Sequence, residues 1–293
     1  MSDGLARLAG SAEVPAGGEL HDHRVTGATM DDLFGLERHD VHLWSLQLDL
    51  SPTARVALER VLSEGEVARM RRFVFAADRR RYAAARGLLR VVLSGYLGVG
   101  PEAVPLEASA GGKPMVAGRE RPRFSLSHAG ARGLIAVTAD QDVGVDIEEV
   151  RDVGDLLTLA GTCFSPVERS ALAAVPASQR QRAFFSGWTR KEAFLKVLGE
   201  GLSRPLDTFD VTLAPGAPAR LLRVHGALRA PARYALRDLE PAAGCVGALA
   251  VDGPVRMVTW RSWQTLSALL GEPVTPCVEA GSGLHPLVGE SAS

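Results

Sequence analysis

Residues 143–149 read VGVDIEE, and their alternation limits the local fold more sharply than any other stretch of the chain. Val143, Val145 and Ile147 alternate with Gly144, Asp146 and Glu148. Successive side chains of a β-strand point to opposite faces, so one face seeks a core while the other carries two neighbouring carboxylates. Like charges that close repel unless something cationic lies between them. Such a strand needs one face buried and the other turned toward positive charge.

A third carboxylate comes from WTRKEAFLK, residues 188–196. Helical spacing puts Trp188, Glu192 and Lys196 on one face, with Phe184, Phe185, Leu195 and Leu198 on the buried side. Asp146, Glu148 and Glu192, flanked by Lys191 and Lys196, suit a hard cation. Mg²⁺ takes a few carboxylates, keeps some waters and completes its shell with substrate phosphate. A plainer reading stays open at this point. Glu192 and Lys196 also fit a surface ion pair, and Asp146 and Glu148 also fit the solvated face of an edge strand.

The surrounding pattern predicts an α+β fold with two mixed halves. VHLWSLQLDL (41–50) reads as a strand, and residues 51–73 read as one helix capped by Ser51 or Thr53. Tyr82, Ala85, Leu89, Val92, Leu93 and Tyr96 recur at helical spacing over 78–98, and Gly98 closes that helix. A second long helix is expected over 181–202, followed by short strands to about residue 261. We expect a flexible leader over 1–38, halves at 39–142 and 143–267, and a loose tail over 268–293. No sequence repeat is visible. Among 293 residues the formal net charge is −1, which argues against a general polyanion binder despite clustered arginines, and no aromatic stacking platform accompanies them. Three scattered cysteines make neither a disulfide framework nor a zinc site. No apolar run is long enough to span a bilayer, so a cytoplasmic protein without membrane or nucleic-acid partners is expected.

GVDIEEV followed about forty residues later by FFSGWTRKEAFLKVLGEGL closely resembles the paired signature of the 4′-phosphopantetheinyl transferases. GKP (112–114), FSLSH (124–128), FSPVE (164–168) and GLSRPLDTFDV (201–211) extend the likeness over roughly residues 40–265. The chain looks most like the long, Sfp-type members. The resemblance implies two similar α/β halves related by pseudo-twofold symmetry, a monomer, and transfer of 4′-phosphopantetheine from coenzyme A to a serine of an apo acyl or peptidyl carrier protein.

By the same resemblance, Asp146, Glu148 and Glu192 match ligands of Mg²⁺ or Mn²⁺, and Lys196 matches a lysine that contacts the pyrophosphate. Ser127 and His128 match a pair that holds a nucleotide phosphate, and Lys113 a nucleotide-binding lysine. Arg72 and Arg81 are the best matches for basic groups at the 3′-phosphate. Lys191 and Glu168 match residues associated with proton handling or serine positioning. Ser165, Pro166 and Glu168 also fit a helix-capping box, which explains Glu168 without chemistry.

Overall fold

The computed structural model describes residues 30–109, 111–118, 122–199, 204–226 and 230–270. The first half runs α1 (Met30–Phe34), β1 (Asp40–Gln47), α2 (Pro52–Arg60), α3 (Glu64–Arg71), α4 (Ala76–Leu97), the hairpin β2 (Leu106–Ala108) and β3 (Pro114–Val116), β4 (Arg123–Ala129) and β5 (Arg132–Thr138). The second runs β6 (Val143–Glu149), α5 (Leu156–Cys163), α6 (Pro166–Ala174), α7 (Ala177–Leu198), the hairpin β7 (Phe209–Val211) and β8 (Leu221–Val224), α8 (Ala230–Arg233), β9 (Tyr234–Leu239) and β10 (Cys245–Asp252). The strand β11 (Met257–Arg261) and helix α9 (Trp263–Leu270) follow.

The two halves repeat one plan. Strands pair in the order β1-β5-β4 in one and β6-β10-β9 in the other, antiparallel throughout. The long helices α4 and α7 each have 22 residues and end at a glycine with positive φ, Gly98 and Gly199. That conformation is costly for a residue with a Cβ. Each long helix is preceded by a short one opened by a capping box, Ser63 with Glu66 and Ser165 with Glu168. The first box also explains why the single helix expected over 51–73 is two. Ser63 captures the Glu66 N–H and starts a new helix, while Ser51 caps α2.

Each sheet turns one face to its long helix. Trp44, Leu46 and Leu48 meet Leu88, Leu89, Val92 and Leu93 of α4, and Ala248 and Ala250 meet Ala193 and Val197 of α7. The opposite faces share one core, with Val41, Leu43, Leu134 and Ala136 against Val143, Val145, Ile147, Leu249 and Val251. The halves are therefore joined through apolar sheet faces. Strand β11 returns to the first half and pairs parallel with β1, so the boundary expected at 142/143 is crossed at the end of the chain.

Two expectations at the termini change. Residues 30–34 of the expected leader form α1, where Phe34 stacks on Trp44 at 5.5 Å and meets Tyr96 edge-on at 5.1 Å. Residues 268–270, assigned to the tail, complete α9, whose Leu266 is buried. The expected leader over 1–29 and tail over 271–293 lie outside the described residues.

The same corner holds a buried histidine. Tyr96 Oη accepts from Trp44 Nε1 at 2.9 Å and lies 2.8 Å from His42 Nδ1, so its own proton is available to a neutral imidazole. Burial, then the charge of Arg261, lowers the His42 pKa to about 4. An unfolded histidine titrates near ~6.5, so between that value and about 4 the unfolded chain binds a proton that the native one refuses. Stability is therefore intact above the unfolded pKa and lost as pH falls through this window. Urea unfolding between about pH 7 and pH 4 should show wild type losing up to about 3 kcal/mol more than His42→Gln. Equal slopes would contradict the assignment.

Candidate functional site

The site forms where α7 crosses β6 beside β4. Gly144 makes the crossing possible: a Cβ there would strike the Ala193 carbonyl oxygen and lie 2.9 Å from both Lys196 Cβ and Val197 N. With the helix that close, Lys196 Nζ donates to Asp146 Oδ1 at 2.8 Å and to the Val145 carbonyl at 3.0 Å. From the first half, Ser127 Oγ donates to the same Asp146 Oδ1 at 2.7 Å, while Ser125 Oγ accepts from Val145 N at 3.1 Å. Glu148 accepts from Trp188 Nε1 at 3.2 Å and faces Arg151 at 3.5 Å.

Both plainer readings now fail. Asp146 is only 5% exposed, so it is not on a solvated strand face. Lys196 pairs with Asp146, while Glu192 Oε1 and Asp146 Oδ2 are buried without a hydrogen-bond partner. Burial, then the charge of Asp146, pushes Glu148 and Glu192 each up to about 7. Three carboxylates share a partly desolvated space with too little positive charge to balance them.

That deficit fits a divalent cation. Among the described residues no three His, Cys, Asp or Glu side chains are placed so that they could hold a metal ion by themselves. Mg²⁺ does not need such a set, because it retains waters and shares its shell with substrate phosphate. Asp146 Oδ2 and Glu192 Oε1, buried without a hydrogen-bond partner, are the oxygens that would face such an ion.

The remaining expected residues divide. His128 follows Ser127 on β4 and its side chain is exposed. Desolvation by surrounding protein, then the charges of Lys196 and Arg81, holds its pKa below the usual range, so near neutral pH its imidazole is uncharged beside those two cations. Arg81 is anchored by two bonds to Asp49, at 2.8 and 2.9 Å. Arg72 caps the C-terminus of α3 and is exposed. Lys113 Nζ donates to the carbonyls of Val143 at 2.8 Å and Lys196 at 2.6 Å. It ties the end of α7 to the start of β6, with its ammonium committed to main chain.

Lys191 meets Glu168, whose expected capping box with Ser165 is present. Lys191 is fully buried, 2.7 Å from Glu168, and donates to the carbonyls of Leu206 and Phe209. Neither side chain reaches the other carboxylates. Both side chains are engaged in contacts within the protein.

Sequence reasoning passed over Gly144, Ser125 and Arg151. The signals were present: strand alternation in FSLSH puts Ser125 on the same face as Ser127, and Arg151 follows Glu148 by three residues. Gly144 had been read only as one member of the alternation.

Residues 142–243 match the family model described as the 4′-phosphopantetheinyl transferase superfamily, and residues 51–140 match the one described as 4′-phosphopantetheinyl transferase, N-terminal. The chain is 40% identical over 217 residues to the 4′-phosphopantetheinyl transferase HetI of Nostoc sp. (strain PCC 7120), covering 73% of this chain and 88% of that protein. A 4′-phosphopantetheinyl transferase of Bacillus subtilis is 32% identical over 170 residues, covering 54% and 75% respectively. The Sfp transferase of Bacillus subtilis (strain 168) is 33% identical over 143 residues, covering 49% and 62%.

Gly144→Ala tests the helix crossing. The added methyl meets backbone, which cannot swing aside, so we expect a loss of roughly 3 kcal/mol in urea unfolding. A loss within experimental error of wild type would show that α7 is not held at this distance.

Proposed function

We propose that this chain, which belongs to the 4′-phosphopantetheinyl transferase superfamily, uses the carboxylate cluster of β6 and α7 to move phosphopantetheine from coenzyme A to a carrier protein. The reaction joins a serine hydroxyl oxygen of the apo carrier to the β-phosphorus of coenzyme A. The pyrophosphate P–O bond breaks, the hydroxyl proton is lost, and adenosine 3′,5′-bisphosphate leaves. No nucleophile from the enzyme is required. The observation that carries the reading is the pair of buried, unpartnered oxygens, Asp146 Oδ2 and Glu192 Oε1, inside a three-carboxylate cluster.

Asp146, Glu148 and Glu192 would hold Mg²⁺ or Mn²⁺, which when bound supplies positive charge against the pyrophosphate oxygens. The rest falls to the chain's own groups. Lys196, already 2.8 Å from Asp146, offers its ammonium to the phosphate whose charge grows as the bond breaks. Ser127 and His128 border the same cluster from β4 and receive a nucleotide phosphate, with Arg81 and Arg72 as further basic groups. Arginine forks suit phosphate oxygens. Lys113 holds the backbone beneath Lys196 instead of touching the nucleotide. Trp188 keeps Glu148 oriented through its indole N–H.

The site draws Ser127 from the first half and Asp146 from the second, so one chain completes it and a monomer suffices. Carriers of polyketide or non-ribosomal peptide synthesis are the proposed acceptors. Exposed arginines near the rim favour encounter with an acidic carrier. Among the described residues no helix is long and apolar enough to cross a membrane.

Intact-mass spectrometry of an apo carrier incubated with coenzyme A, Mg²⁺ and this protein should show a gain of one phosphopantetheine, abolished by EDTA. Glu192→Gln should slow that gain at least ~10²-fold. Without divalent metal the variant should unfold no earlier than wild type, because it removes one of three mutually repelling carboxylates. Transfer at the wild-type rate by Glu192→Gln would sink the assignment.

A further inference from the structure

The buried lysine behind α7 has a counterpart in the half that lacks the carboxylates. Lys191 and Arg90 hold the same place in their helices, each eight residues before the terminating glycine, Gly199 or Gly98. Each pairs with the glutamate of the preceding capping box, Lys191 with Glu168 at 2.7 Å and Arg90 with Glu66 at 2.7 Å. Both glutamates also accept from their own capping serine, at 2.8 Å for Ser165 N and 2.9 Å for Ser63 N. Both cations then reach on to carbonyls in the segment after the helix. Arg90 takes Pro101 at 3.2 Å and Val104 at 3.1 Å, and Lys191 takes Leu206 at 2.6 Å and Phe209 at 2.7 Å. These segments correspond as well, each containing a short 3-10 turn, Pro101–Ala103 or Leu206–Thr208.

The next residue differs. After Arg90 comes Val91, packed against the first core; after Lys191 comes Glu192, whose Oε1 stands open in the carboxylate cluster. A brace of glutamate, cation and carbonyls is thus built in both halves, with chemistry beside only one. In the first half it can only hold structure.

We infer that Lys191 is a positioning residue: with Glu168 and the Leu206 and Phe209 carbonyls it fixes the rotation and axial position of α7, and so places Glu192 for the cation. It does not carry a proton. The inference deepens the proposed reading of the site and rests on it. Packing agrees, since the Lys191 ammonium lies 4.4 Å from the Phe209 ring centroid and 5.8 Å from that of Phe164, walled off from any substrate serine.

Exchanging the two cations tests this in the full chain. Lys191→Arg supplies the cation that the first half uses, and arginine cannot act as a base. Lys191→Met and Arg90→Met remove each brace in turn. Three readouts separate the roles: thermal midpoint, Mn²⁺ affinity by calorimetry, and carrier transfer by intact mass. Lys191→Met should melt roughly 10 °C lower, because it strands buried Glu168, while Arg90→Met, which leaves Glu66 paired with Arg86 at 2.8 Å, should melt only a few degrees lower. Only Lys191→Met should weaken Mn²⁺ binding, by about tenfold or more, and Lys191→Arg should restore Mn²⁺ affinity and transfer to within about tenfold of wild type.

Folded Lys191→Arg with normal Mn²⁺ affinity and transfer down ~10³-fold, the scale of lost proton transfer, would overturn the inference. So would unaltered Mn²⁺ affinity in folded Lys191→Met. If either Lys191 variant fails to fold, Glu168→Gln/Lys191→Met removes both charges together and is judged by the same Mn²⁺ criterion. No Mn²⁺ binding by wild type would overturn the metal reading itself, before any variant is compared.

Discussion

Everything at the site depends on how closely α7 lies against β6. Gly144 leaves room for the Ala193 carbonyl and the Lys196 stem, and the helix then delivers Glu192 and Lys196 to a strand carrying Asp146 and Glu148. The approach is held from three sides. Lys113 ties the carbonyls of Lys196 and Val143, Lys196 bonds Asp146 and the Val145 carbonyl, and Lys191 anchors the far side of the helix. Three lysines fix one helix, and only Lys196 among them faces the carboxylates.

The duplicated plan explains where the chemistry sits. Both halves place a 22-residue helix on a three-stranded antiparallel unit, and both brace it from a capping-box glutamate. The face of β1 turned to α4 carries Trp44 and Leu46, with Leu48 just beyond its end, and that space became core. The matching face of β6 carries Asp146 and Glu148 and became a site. The first half still contributes, because β4 lies beside β6 and lends Ser127 to Asp146. Burying uncompensated carboxylates is unfavourable, and the halves' shared apolar core offsets that cost with many buried aliphatic side chains.

Local rules written in the residues were legible. Alternation gave β6, helical spacing gave α4 and α7, and Gly98 marked a helix end from its preference for positive φ. The break between α2 and α3 was legible too, as the S-x-x-E of Ser63 and Glu66, but continuous apolar spacing over 51–73 masked it. The cluster of Asp146, Glu148 and Glu192 came from spacing plus family likeness. The capping box of Ser165 and Glu168 was legible as well, but the contacts of Lys113 and Lys191 with distant carbonyls were not, because a sequence does not say which main-chain oxygens a lysine will meet and lysine is seldom buried. The twofold plan was invisible for a related reason. Arg90 and Lys191 perform one physical task with different side chains, so the repeat lives in geometry and not in residue identity.

The most direct test of this account is a calorimetric titration of Mn²⁺ into the protein with and without coenzyme A. The account predicts one ion per chain, bound more tightly when coenzyme A is present, with reciprocal strengthening of coenzyme A binding by the metal. Asp146→Asn should remove both the site and that coupling. Mn²⁺ affinity indifferent to coenzyme A, or unchanged in Asp146→Asn, would contradict the claim that these carboxylates hold the ion that meets the substrate's phosphates.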